Sequence, residues 1–140
     1  MIQEIIHDDA VLSVPAEPAT AEDAQVAQDL LDTMASTDGY AVMLAANQIG
    51  SNKAVIVYTG NDGRPRAMFN PKIVRAMRPQ QTVEGCLSRD DETIATRYQT
   101  ITVSYDVLAN GELVSRQRKF TDFEAEMIQH GIDHCKGVLI

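Results

Sequence analysis

The alternation of apolar and polar positions divides the chain into a helix near each end and a run of strands between them. Val26, Ala27, Leu30, Leu31 and Met34 recur at helical spacing and form one apolar stripe. Thr20 opens that helix as N-cap, with Asp23 as an imperfect capping-box partner, and Gly39 is its natural stop. Residues 1–18, which contain Pro15 and Pro18, read as an irregular arm before it. Residues 54–58 are a β-branched strand and residues 60–63 a turn. Met68-Phe69 and Ile73-Val74 flank Asn70-Pro71, an extended or turn dipeptide. Ile101, Val103 and Tyr105 alternate with polar residues, and Asn110-Gly111 is a hairpin turn into a returning strand from Leu113 to Phe120. Thr121 and Glu124 match a capping box that starts a last helix running to about Lys136, with Gly137 as its stop. The order of elements predicts an α+β fold, with antiparallel strands packed around a C-terminal helix and a second helix near the N-terminus. It is expected to be one domain, residues 1–140.

Charge and composition narrow the possible partners. A net charge of −8 argues against nucleic acid, which needs a cationic surface. No apolar run reaches the roughly 18 residues of a membrane span. The N-terminus lacks the positive and apolar regions of a signal peptide. Cys86 and Cys135 are too few for a secreted disulfide scaffold, so a thiol or metal role inside the cell is expected, and a cytoplasmic location with it.

The chemistry starts from the last helix. His130 and His134 are four residues apart, which puts both imidazoles on one face, where they can share a metal ion. Read alone, the pair serves equally as two polar helix residues. Cys86, in Glu84-Gly85-Cys86-Leu87-Ser88, is a candidate third ligand. A three-ligand set leaves a fourth position for water, as catalytic sites do. Cys135 lies about 100° round the helix from His134 and reads as a packing residue. Residues 44–50, rich in small side chains, carry Gln48, whose amide can donate and accept.

Together these segments resemble the peptide deformylase family. Its second motif is complete as Glu84-Gly85-Cys86-Leu87-Ser88. Its third, an H-E-x-x-H with aspartate before the second histidine, is complete apart from Gly131. Its first ends correctly in Leu44-Ala45-Ala46-Asn47-Gln48, with Ala41 and Met43 where glycines are usual. The arm around Asp9 and Leu12 is also similar. The resemblance implies a divalent metal held by Cys86, His130 and His134, iron(II) in the cell and zinc or nickel after purification. It implies N-formylmethionyl peptides of new proteins as substrate, a passing association with the ribosome, and a short-form member. Gln48 and the backbone N–H of Leu87 would stabilise the oxyanion on the formyl oxygen. Glu84 and Arg97 would pair near the metal, bracing the Cys86 loop, unless they form an ordinary surface pair. Asp133 would support the site. Val42, Phe123 and Met127 would line the methionine pocket or serve as plain core.

Gly131 is the main departure. H-E-x-x-H places its general base there, and glycine cannot carry a proton. It leaves three explanations: a deliberate substitution, a natural loss of activity, or a rerouted mechanism through Asp133 or Glu84. Met43 is the second departure, and either crowds the cleft or fills a cavity beside it. Two functions follow: a metal-dependent deformylase with strongly reduced activity, or a catalytically inactive metal-binding relative that captures formyl-methionyl peptides or a ribosomal partner. A purely structural metal is a third reading.

Overall fold

The strand β2 (Val55–Thr59) explains the architecture, because both of its faces are buried. Val55 and Val57 point to one side and Ile56 and Tyr58 to the other, as a period of two requires. The first side meets α2 (Ala24–Ala35) through Leu30 and Met34, together with Leu44 and Phe69. The second meets α3 (Asp122–Cys135) through Ala125, Ile128 and Ile132, together with Ile101, Val103 and Phe120. In the computed structural model, which describes all 140 residues, one antiparallel sheet lies between two helices. Its strand order is β1-β2-β3-β4-β5, with β1 at Met43–Ala45, β3 at Pro65–Cys86, β4 at Arg89–Ala109 and β5 at Glu112–Thr121. The α+β class and the antiparallel sheet around a C-terminal helix are as the sequence leads one to expect.

Several local readings change. The arm contains a short helix, α1 (Asp9–Leu12), capped by the Asp8 side chain. The Thr20–Asp23 capping box forms, but it starts a 3-10 turn over Ala21–Asp23 that leads into α2. The two short pieces around Asn70-Pro71 are one strand, β3, with register shifts between Phe69 and Lys72 and again between Ile73 and Arg75. Asn70 takes a φ of 54° at the first of these. Its amide and carbonyl bind the backbone of Ala19, and this local bonding offsets the left-handed conformation.

The second capping box is not made. Thr121 stands at the N-cap of α3 without a side-chain cap bond. The buried Glu124 carboxylate instead accepts the backbone N–H of Asn61 at 3.0 Å, tying the helix start to the turn after β2. Asp122, at φ 54°, re-aims the chain between β5 and the helix. Gln129 then fixes α3 against β4, its amide donating to Tyr98 O and its Oε1 accepting Tyr98 N–H, both at 2.8 Å.

Candidate metal centre

Three elements bring the site together. The β3–β4 hairpin turns over Leu87 and Ser88, with Cys86 paired opposite Arg89, and this tip carries Cys86 to α3. α3 supplies His130 and His134, whose ring centroids are 4.9 Å apart. The 3-10 turn Ala46–Ile49 after β1 supplies Gln48, which is 1% exposed. Its Oε1 accepts the Ala45 N–H at 2.9 Å, and its amide donates to Cys86 Sγ and Ser88 Oγ, both at 3.3 Å. Asn47 donates to the backbone oxygens of Leu12 and His134, holding arm, turn and helix together.

The donor atoms of Cys86, His130 and His134 all lie within 4.8 Å of one another, and the group could hold a metal ion. Sulfur with two imidazole nitrogens suits a zinc or transition-metal ion, and a three-donor set leaves a position open. The orientation of His130 fits too. Its Nδ1 lies 2.8 Å from Glu84 Oε1, so the N–H on that side donates to the carboxylate and Nε2 is left for an ion. Cys86 Sγ is 3.4 Å from His134 Nε2.

Glu84 is in turn held by Arg97. The guanidinium donates through Nε at 3.1 and 3.0 Å and through Nη2 at 2.8 Å, and Thr82 Oγ1 donates at 2.9 Å. Arg97 Nη1 reaches Asp133 Oδ2 at 2.5 Å. Glu84 and Arg97 are both buried, so this is not the ordinary surface pair. Both carboxylates weighed as replacements for a base at position 131 are therefore committed to Arg97.

The electrostatics follow from these contacts. Burial favours neutral Glu84, but the bonds from His130 and Arg97 outweigh it and hold the carboxyl well below its usual range. His130 is pushed up to about 9: burial opposes the charge, and the contacts with Cys86 and Glu84 overcome it. His134 is pushed down to about 3 by burial and by the charges of His130 and Arg97. Burial drives Cys135 up to about 12 and keeps it a neutral thiol.

A cleft of about 350 Å³ opens beside these groups. Val42, Met43, Phe123 and Met127 line it, as do Gln48, Glu84, Cys86, Leu87 and His130. Met127 is also buried among the core side chains, whereas Phe123 is 55% exposed at the rim. Gly131 is buried and adds no side chain. Sequence reasoning missed Tyr40 and Glu126 in the cleft wall. Glu126 precedes His130 by one helical turn, and that spacing was the available signal. Burial and nearby Glu84 raise the Glu126 carboxyl above its usual value.

The family model described as polypeptide deformylase matches residues 2–140. The chain belongs to the peptide deformylase family. It is 38% identical over 141 residues to a peptide deformylase of Clostridium beijerinckii, spanning the whole of both chains. A Rhizobium meliloti peptide deformylase is 37% identical over 96% of this chain and 80% of its own length. The fold is similar to the crystal structure of the Thermotoga maritima deformylase, with a TM-score of 0.84 and 29% identity over 99% of this chain and 95% of that one. A class I type b deformylase from Acinetobacter baumannii gives 0.85 and 26% over 99% and 97%.

Proposed function

We propose that this chain binds N-formylmethionyl peptides at the metal centre and hydrolyses the formyl group slowly. The observation that carries the reading is the convergence of Cys86, His130, His134 and Gln48 on one cleft. A divalent ion held by the first three, iron(II) in the cell and zinc or nickel in a purified sample, would polarise water and lower its pKa toward neutrality. The Gln48 amide and the Leu87 N–H would donate to the formyl oxygen as negative charge develops there. Val42, Met43, Phe123 and Met127 would take the methionine side chain. Glu84, Arg97 and Asp133 would keep His130 turned toward the ion. The substrate would be a new polypeptide in the cytoplasm, met on or near the ribosome.

Turnover is slow because Gly131 supplies no proton carrier. General acid–base assistance is worth roughly 10²–10⁴-fold, which is about 3–5 kcal/mol of barrier. The same absence favours one second reading, a binder that holds formyl-methionyl peptides without turnover. Metal-loaded protein incubated with a formyl-Met peptide separates the two. Slow, metal-dependent release of formate supports the first. Peptide binding with no formate above a Cys86→Ala control supports the second, and no binding at all refutes both.

A further inference from the structure

A glycine in mid-helix is unfavourable unless something needs the space. At Gly131 something does. A Cβ built on its backbone would lie 2.9 Å from Met43 Sδ, 3.1 Å from Ile56 Cδ1 and 3.2 Å from Ile56 Cγ2. Ile56 is fully buried in β2 and has little freedom to retreat. Met43 is on β1, in register with Tyr58, and its side chain also faces the cleft. The thioether therefore occupies the path by which any side chain at position 131 would leave the helix.

We infer that Met43 and Gly131 are a single packing unit that excludes a general base from the metal centre. The missing acid is then not a simple deletion on an otherwise unchanged site. Where H-E-x-x-H sets a carboxylate beside its ligands, this chain sets an apolar sulfur from the neighbouring strand. A carboxylate at position 131 alone would meet that sulfur at its first carbon. It would have to displace Met43, which lines the cleft where the substrate methionine is proposed to bind. This rests on the deformylase reading for its consequence in catalysis, but the packing claim stands apart from it.

The test uses five variants of the full chain: Gly131→Ala, Met43→Ala, Met43→Ala/Gly131→Ala, Gly131→Glu and Met43→Ala/Gly131→Glu. Alanine for glycine in a helix ordinarily raises stability. Here Gly131→Ala is expected to lower the melting temperature by more when Met43 is present than in the Met43→Ala background, where only Ile56 still presses on the added carbon. An equal change in both backgrounds overturns the proposal. With metal and a formyl-Met peptide, Gly131→Glu alone should gain at most a few-fold in rate. Met43→Ala/Gly131→Glu should recover roughly 100-fold or more, the lower end of general-base assistance. Full recovery in Gly131→Glu alone also overturns it. A smaller loss in the Met43→Ala background with no deformylation by any variant keeps the packing unit and refutes the deformylase reading.

Discussion

Arg97→Ala is the most informative perturbation of the ligand support. It removes three hydrogen bonds to Glu84 and one to Asp133 at a stroke. The Glu84 side chain is 5% exposed, so water cannot replace the guanidinium there, whereas Asp133, at 25%, recovers part of its hydration. Breaking a buried pair from one side costs about 3–5 kcal/mol, since the remaining charge is left uncompensated. Glu84 keeps its contacts with His130 and Thr82, which places the expected loss near the lower bound, about 3 kcal/mol. That is a large share of a total stability of about 5–15 kcal/mol. The loss should appear as a lower urea midpoint with unchanged slope in the metal-free protein. Metal affinity, measured by competition with a chelator, should fall about 10–100-fold, as when a partner orienting a ligating histidine is lost. Arg97→Lys keeps the charge without the fork and should fall between the two. Stability within about 1 kcal/mol of the parent, together with unchanged metal affinity, would refute the bracing argument.

Three further outcomes follow from the same geometry. Glu84 has a depressed pKa, so its contribution is present above the unfolded value of about 4.3 and is lost as pH falls through and below it; the urea midpoint of metal-free protein should drop over that range, and much less in Glu84→Gln. Adding zinc or nickel should raise the melting temperature, by an amount equivalent to about 2.7 kcal/mol at one hundred times the Kd, and Cys86→Ala should abolish that rise. Thr121→Ala should cost under about 0.5 kcal/mol in urea unfolding, because its side chain makes no cap bond; Glu124→Ala should cost about 1.5–3 kcal/mol, because it removes the hydrogen bond from Asn61 N–H to a charged carboxylate.

What the sequence discloses depends on where each segment's partners lie. The α2 stripe is legible because Ala27, Leu30 and Met34 all bury against the one sheet face. β1 is not: three residues of small or flexible side chain show no period, and Met43–Ala45 become a strand only by pairing with Tyr58, Val57 and Ile56. The outer parts of β3 and β4 escape for the opposite reason. Val74, Met77, Val83 and Ile94 are exposed there, so no buried face imposes an alternation on the polar residues around them. The capping box at Thr121 misleads because Glu124 finds a stronger claim on its carboxylate in the turn after β2, and sequence spacing carries no information about that turn. The candidate site is more legible than the fold around it. A metal ligand set must use a narrow range of side chains at fixed spacing, whereas packing accepts many solutions. The burial of Glu84 with Arg97 was beyond reach, since a pair thirteen residues apart gives no sign of its depth until the hairpin closes.

The arrangement also keeps the candidate metal ligands independent of position 131. His130 is oriented through Nδ1 by Glu84, Glu84 is held by Arg97 and Thr82, and Arg97 is held by Asp133. Cys86 is placed by the hairpin tip and touched by Gln48. Position 131 takes part in none of these contacts. Its neighbours are Met43 and Ile56, on the side of α3 that meets β1 and β2. A change there alters the packing of helix on strand and leaves the ligand network in place. On the proposed reading, ion binding and proton transfer are thus separable: the first would depend on buried charges that cannot be removed one at a time, and the second on a side chain at position 131, whose space Met43 takes.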